Sequence, residues 1–394
     1  MTKLLFVSGR DKNLALREIT SLLKRNEKEF EITFSNNQVI LVKLKDSSSD
    51  KQVEEWIELL GGITKIARVL DIVKENELEE KLDDIVSFEV VGRKINFSVN
   101  DCNEKPEKEL FLKIVEGLKK EFKKQKIRAV IKQPRKSEHG RLQQTSPSQI
   151  ITLKLITEGL DLLFFVKDKT IILGKTIATY NPFKVMEIEK KMPKHDYLIE
   201  SSSRLNKILI NLAMVKAEQT ILDPFCGTGG LLIEGLKRKH NAIGVELKSK
   251  TLDIAKTNLN WAKKEFNLKN NFQLIKGNAR ELSKIMNKKK FDAIITEPFL
   301  GGFLRQLPTK NMAMAKIQEL EKLYSSFFNE TGKLMREKQR IVIVLPELLS
   351  FDGAKFKLNE KVFLEHGFKK TIEPILYGEK DKKINRLIYV LEKN

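Results

Sequence analysis

One stretch of the sequence has the residue types and spacing to do chemistry: Thr220-Ile221-Leu222-Asp223-Pro224-Phe225-Cys226-Gly227-Thr228-Gly229-Gly230. A short apolar run ends on an acid, three glycines turn the chain, and the run Leu231 to Arg238 follows. This reads as strand, tight loop and helix. Glycine lets backbone adopt positive φ or pass close to a ligand. A helix start offers free N–H groups to polar ligand atoms. A second apolar run, Asn241 to Val245, ends on Glu246. In such a unit an acid at the end of the second strand accepts hydrogen bonds from ribose hydroxyls. The spacing is not that of a dinucleotide fingerprint, and no P-loop lysine follows the glycines.

Asp223 to Gly230 resembles the S-adenosylmethionine loop of class I methyltransferases, in the branch that methylates exocyclic amines of nucleic-acid bases. The resemblance implies that Asp223, Phe225, Cys226, Gly227, Thr228 and Gly229 hold the methionine end of the cofactor and Glu246 the ribose. Gly277-Asn278-Ala279 follows a third strand, Phe272 to Lys276. That family usually has Asp where Asn278 stands, to meet the adenine amine; an Asn carbonyl can accept the same bond. A simple turn residue is the other reading of Asn278. The fourth strand, Phe291 to Thr296, leads into Glu297-Pro298-Phe299-Leu300-Gly301. Amine methyltransferases of this kind carry Asp/Asn-Pro-Pro-Tyr/Phe there. The acid and a backbone carbonyl would accept the N–H bonds of the target amine and aim its lone pair at the methyl group, while the aromatic ring stacks on the flipped base. The implied catalytic set is Glu297, Pro298 and Phe299. Glu297 is one methylene longer than Asp, and Leu300 stands in the aromatic slot, so Phe299 stacks if the loop shifts by one residue.

The elements that must position these residues alternate strand and helix from the glycine loop onward. Helices are expected at Arg280 to Met286, Met312 to Phe328 and near Lys361, and a strand at Ile341 to Leu345. A hairpin of Thr371 to Tyr377 with Ile384 to Leu391 closes the chain. Alternation of this kind gives a parallel sheet covered by helices on both faces. The fold class is therefore α/β, and the resemblance of the glycine loop implies a class I (Rossmann-like) methyltransferase domain. Upstream, Lys3 to Ser8, Asn13 to Arg25, Phe30 to Leu44, a helix capped by Ser47 to Ser49 and ending at Gly61-Gly62, and Ile63 to Ile72 follow the order βαββαβ, an α+β ferredoxin-like module. Phe6 to Arg10 and Gly61 to Ala67 resemble the opening module of tRNA guanine-N2 methyltransferases.

An acidic stretch, Glu75 to Asp84, reads as a link. Ser87 to Val91 and Ile95 to Val99 alternate like a hairpin, and Lys105 to Gln125 reads as a helix with Pro106 in its first turn. Ile127 to Ile131 is a strand. A basic loop follows, with Lys132, Arg135, Lys136, His139 and Arg141. Ser146-Pro147 starts a helix that Gly159 ends, and Leu162 to Lys167 with Thr170 to Thr176 turns at Asp168-Lys169. The layout, Arg135 to Gly140 and Leu173-Gly174-Lys175-Thr176 resemble a THUMP domain. That resemblance implies RNA contact at Lys132, Arg135, Lys136 and Arg141. Residues 177–200 read as a linker. The expected domains are 1–75 ferredoxin-like, 76–178 THUMP, and 179–394 methyltransferase with its lead-in; the segment Pro193 to Ala213 resembles that family's lead-in.

The whole chain agrees with a polyanionic partner. It has 394 residues, 73 Lys and Arg against 53 Asp and Glu, and a net charge of +20; a uniformly lysine-rich surface is the other reading. Cys102 and Cys226 imply no disulfide framework, which fits a reducing cytoplasm. The four histidines are scattered without metal-ligand spacing, and no apolar run is long enough to cross a bilayer. The resemblance implies an S-adenosylmethionine-dependent enzyme that methylates the N2 amine of a guanosine in tRNA, typically at tRNA position 10, with tRNA or another structured RNA as partner. A catalytically inactive tRNA-binding protein and a DNA adenine-N6 methyltransferase remain the alternatives. The nucleotide, mono- against dimethylation and the need for an activator subunit stay open.

Overall fold

The computed structural model describes residues 2–9, 11–132, 144–196, 201–302, 304–378 and 382–394. Arg10, Arg135, Lys136, His139, Gly140 and Arg141, named above, lie outside the described residues. The chain divides into two compact units: Met1–Leu16 with Glu27–Glu189, and Arg17–Asn26 with Lys190–Asn394.

The first unit holds strands β1 (Thr2–Ser8), β2 (Phe30–Ser35), β3 (Val39–Leu44), β4 (Ile63–Val73), β5 (Lys94–Asp101), β6 (Arg128–Ile131), β7 (Leu160–Lys167) and β8 (Thr170–Thr179). Its helices are the first turn of α1 (Lys12–Arg25), α2 (Asp50–Leu59), α3 (Leu78–Glu89), α4 (Lys108–Lys124), α5 (Pro147–Thr152) and α6 (Pro182–Lys191). The strands form one sheet in the order β2-β3-β1-β4-β8-β7-β5-β6. The first four are antiparallel, while β5 runs parallel to both β6 and β7.

Several expectations are corrected here. Ser87 to Glu89 is the end of helix α3, not a strand, and the acidic stretch before it is helical too. Leu78, Leu82, Ile85 and Val86 recur at helical spacing and pack with Phe111, Ile114 and Leu118 of α4. Acids in the first turn of α3 also favour its dipole. Helix α4 starts at Lys108, so Pro106 precedes it. The Ser146 helix forms with a capping box through Gln149 but stops at Thr152, well short of Gly159. Residues 177–200 are not simply a linker: β8 continues to Thr179 and Pro182 opens helix α6. The turn at Asp168-Lys169 has both residues at positive φ (50° and 62°), the geometry of a tight two-residue hairpin.

A buried polar cluster ties four strands of this sheet together. Lys65 Nζ lies 3.2 Å from Asp161 Oδ2 and donates to Asn100 Oδ1 at 3.2 Å. Asp161 also accepts from Ser98, from Asn100 at 2.8 Å and from Thr176 at 2.6 Å. The side chains of Lys65 and Asp161 are 2% and 0% exposed. Removing one partner of such a pair strands a buried charge. Lys65→Met is therefore expected to destabilise the protein by about 3–5 kcal/mol. Thermal or denaturant unfolding measures it; a change below about 1 kcal/mol, the range of an exposed pair, would contradict the buried pairing.

The second unit holds α7 (Ser203–Ala213), β9 (Thr220–Asp223), α8 (Gly230–Lys237), β10 (Asn241–Glu246), α9 (Ser249–Glu265), β11 (Phe272–Lys276), α10 (Leu282–Met286), β12 (Ala293–Thr296), α11 (Lys310–Leu334), β13 (Arg340–Leu349), β14 (Lys355–Lys357), α12 (Lys361–Leu364), β15 (Phe368–Lys370), β16 (Ile375–Tyr377) and β17 (Ile384–Lys393), with Arg17–Asn26. The sheet order is β11-β10-β9-β12-β13-β17-β15. Neighbours from β11 to β13 are parallel, and β17 is antiparallel to β13. The closing hairpin is shorter than expected on its first side: only Ile375–Tyr377 pairs there, and Phe368–Lys370 adds a second antiparallel partner to β17. A core of Leu222, Ile294, Ile343 and Leu391 from the strands packs on Ile317, Leu320, Tyr324, Phe327 and Phe328 of α11.

Candidate active site

The strand order reverses between β9 and β12, one leading on to β10 and β11 and the other to β13. In open α/β sheets ligands bind outside the carboxyl ends of the strands at such a reversal. Asp223 ends β9, Glu246 ends β10 and Thr296 ends β12.

Asp223 is buried at 3% exposure. Its Oδ1 accepts from the Phe225 N–H at 3.0 Å and from the Thr296 hydroxyl at 2.6 Å. Burial pushes the carboxyl up to about 7, against the pull of these two donors, with Glu246 and Glu297 adding repulsion. The Thr296 bond joins the ends of β9 and β12 across the reversal.

The glycine loop then turns on positive φ at Gly227 (52°) and Gly229 (88°), and Gly229 is the left-handed N-cap of α8. Its N–H donates to the Cys226 carbonyl at 2.9 Å. Cys226 and Thr228 are buried, at 5% and 4% exposure, and the Phe225 ring stands edge-on to Phe327 at 5.5 Å. Cys226 and Thr228 thus present backbone to the loop. Burial raises the Cys226 thiol well above its ordinary value, so it is not a nucleophile. Gly244 of β10 is required by this packing: a Cβ there would meet Cys226 Sγ at 2.8 Å and Leu232 Cδ1 at 2.6 Å.

Glu246 is fixed by two backbone donors, Gly227 N–H at 3.3 Å to Oε2 and Lys248 N–H at 2.8 Å to Oε1. A carboxylate has roughly four lone-pair sites, so each oxygen keeps acceptor capacity. The Gly277 N–H donates to the Glu246 carbonyl at 3.0 Å, which brings Asn278 beside the end of β10. Asn278 Oδ1 accepts from Arg280 N–H at 3.1 Å and caps the short turn Ala279–Glu281; Ala279 is buried.

The fourth-strand loop is held from two sides. The buried Tyr324 hydroxyl donates to the Phe299 carbonyl at 2.9 Å. Arg386 of β17 donates from Nε to Glu297 Oε1 at 2.6 Å, with the Glu297 side chain 13% exposed. Pro298 is buried, while Phe299 is 52% exposed. Gly301 and Gly302 follow at φ 109° and 84°, and a Cβ on Gly302 would lie 3.4 Å from Phe299 Cζ. Lys132 follows β6 in the first unit, its N–H donating to the Phe97 carbonyl at 2.7 Å. Sequence reasoning missed Thr296, Tyr324 and Arg386. A hydroxyl closing an apolar strand was the available signal for Thr296; Arg386 had none.

A parallel sheet reversing at β9 and β12, acids ending β9 and β10, and a glycine turn into α8 make a Rossmann-like α/β domain. A family model described as RMKL-like, methyltransferase domain matches residues 201–362, and one described as DNA methylase matches residues 9–257, more than half the chain. The chain belongs to the family of the second model, which covers more than half of it, a methyltransferase family whose cofactor is S-adenosylmethionine. The tRNA (guanine(10)-N2)-dimethyltransferase of Methanothermobacter thermautotrophicus is 29% identical over 163 residues, 41% of this chain and 44% of that relative. The protein of the same name from Pyrococcus abyssi is 32% identical over 122 residues, 31% of this chain and 34% of its own. The match spans under half the length of either curated relative. The crystal structure of TrmN from Thermus thermophilus superposes with a TM-score of 0.55 at 14% identity, covering 100% of both chains, and shares the fold. Among the described residues no helix is long and apolar enough to cross a membrane, and no group of three or more His, Cys, Asp or Glu could hold a metal ion.

Proposed function

We propose that this chain transfers a methyl group from S-adenosylmethionine to the exocyclic N2 amine of a guanosine in tRNA. The observation that carries the reading is the juxtaposition of the Asp223 loop and the Glu297-Pro298-Phe299 loop at one strand reversal, tied by the Thr296–Asp223 bond. When bound, S-adenosylmethionine supplies an electrophilic methyl group on a cationic sulfur. Asp223 would hold the ammonium of its methionine end through Oδ2, since both donors described above fall on Oδ1. The backbone from Phe225 to Gly229 would approach it closely, and Glu246 would take the ribose hydroxyls. Asn278 and Ala279 would border the adenine. The fit rests on the donor set: a buried carboxylate at the end of β9, with its two described donors on one oxygen, beside a glycine turn that opens α8.

At the reacting end, Glu297 would accept an N–H of the target amine and turn its lone pair toward the methyl group. The half-exposed Phe299 ring would stack on the base. Displacement of this kind depends on alignment more than on a tuned base. The first unit would bind RNA, residues 1–75 as a ferredoxin-like module and residues 76–178 as a THUMP domain. Lys132, Arg135, Lys136 and Arg141 would reach the phosphates. The protein would act as a tRNA-modifying enzyme of the cytoplasm. Transfer of labelled methyl from the cofactor to tRNA transcripts, with duplex DNA in parallel, tests the reading. Labelling of tRNA alone is expected. Labelling of DNA alone would favour the adenine alternative, which the match to a DNA methylase model keeps in view.

Asp223 makes cofactor binding pH-dependent. Its carboxyl, raised to about 7 by burial, is protonated below that pH and cannot pair with an ammonium. A bound cation lowers it again. Affinity should therefore rise with pH, by up to about tenfold per unit below neutrality, and level off above. Calorimetry across pH checks this, and Asp223→Asn should bind weakly with no such slope.

A further inference from the structure

We infer that Arg386 is a positioning residue for the amine-transfer step, acting through the carboxylate of Glu297. The inference rests on the functional reading above and adds to it the group that aims the acid. Glu297 leaves the rigid end of β12 on a side chain with three torsions, and an acceptor that must meet one amine N–H cannot sample them freely. A misplacement of about 1 Å can cost on the order of 100-fold in rate. Arg386 removes that freedom. Its Nε reaches Oε1 at 2.6 Å, a short charge-assisted bond between a guanidinium that is 47% exposed and an acid that is 13% exposed, so water and salt screen the pair only from the arginine side. Arg386 is itself fixed on β17, where it pairs in register with Pro346 of β13 and Tyr377 of β16. The nearby acid Glu347 has its own partner, Asn385 Nδ2 at 3.0 Å to Oε2, while Arg386 is bonded to Glu297. The bond falls on Oε1, which leaves Oε2 to an amine. The loop main chain is pinned separately, by Tyr324 on the Phe299 carbonyl. Backbone and carboxylate of the amine loop thus have independent anchors, and the second lies 89 residues away in sequence.

A pair that only stabilised the fold would move the unfolding temperature and leave turnover alone. The test is methyl transfer to tRNA by the full chain carrying Arg386→Ala, Arg386→Lys, Glu297→Ala and the double change Glu297→Ala with Arg386→Ala. Affinity for S-adenosylhomocysteine and thermal unfolding are measured on each. Arg386→Ala should lower kcat by about 10–100-fold, with the KM for tRNA and the S-adenosylhomocysteine affinity within about twofold of the parent. Arg386→Lys, which keeps the charge and one donor, should recover part of the loss. In the Glu297→Ala background the Arg386 change should cost nothing more, because its route of action is gone. Parent-like kcat in Arg386→Ala, or losses that add in full in the double variant, overturns the positioning role while leaving the functional reading intact. A parent chain that methylates no nucleic acid overturns both.

Discussion

Glu297→Ala is expected to reduce kcat for methyl transfer by about 10²–10³-fold while cofactor affinity stays at the parent value, because it would delete the acceptor proposed for the target amine and nothing proposed for the cofactor. Glu297→Gln keeps the length and a carbonyl acceptor and should retain part of the activity, although it loses the charge that Arg386 holds at 2.6 Å. Phe299→Ala belongs to the same loop and the same experiment. An aromatic–base stack contributes about 1–3 kcal/mol, so its loss should weaken turnover by roughly 5- to 150-fold without touching cofactor binding. Steady-state kinetics on tRNA, with cofactor affinity measured in parallel, separates these outcomes. Full activity of Glu297→Ala would show that the amine is held elsewhere. Unchanged activity of Phe299→Ala would remove the stacking role.

The second large effect falls on the glycine loop. Gly229 sits at φ 88°, and a Cβ there would find ordinary contact with Ala255 and Leu259 at 3.5 Å. The objection to a side chain is thus conformational and not steric crowding. Gly229→Val places a β-branched residue in left-handed backbone at a cost of about 1–3 kcal/mol. The loop can relieve that strain only by moving the N–H groups at the start of α8. Gly227→Trp, at φ 52°, would add an indole on the proposed approach path of the cofactor. Both should abolish measurable cofactor binding by calorimetry, with the two units still folded. Parent-like affinity in either would mean that the loop is not the cofactor's cradle.

The parts of this architecture that were legible in the sequence are those written locally. The run from Thr220 to Gly230 carries its strand, its turn and its helix start in adjacent residues, and the fold has each of them there. The βαββαβ order of the opening elements was likewise set by short-range period and caps, such as Ser49 accepting from the Gln52 N–H. Helix α3 was misread because Ser87 to Val91 alternates locally, while the i, i+4, i+7 stripe from Leu78 gains its meaning only from α4 packed against it. Long-range polar contacts were not legible at all. Thr296 meets Asp223 across 73 residues and Arg386 meets Glu297 across 89, and neither pair has a local signature. Lys65 looked like one basic residue among many, yet it is 1% exposed and bound to Asp161, 96 residues on. Such pairings follow from sheet order, which a single sequence does not print.

The most direct measurement is mass spectrometry of tRNA nucleosides from cells with and without this gene, and from tRNA treated with the purified protein and S-adenosylmethionine. N2-methylated guanosine that disappears with the gene and returns with the protein, but not with Glu297→Ala, is the expected result. An unchanged nucleoside profile, or a methyl group found on adenine, would contradict it.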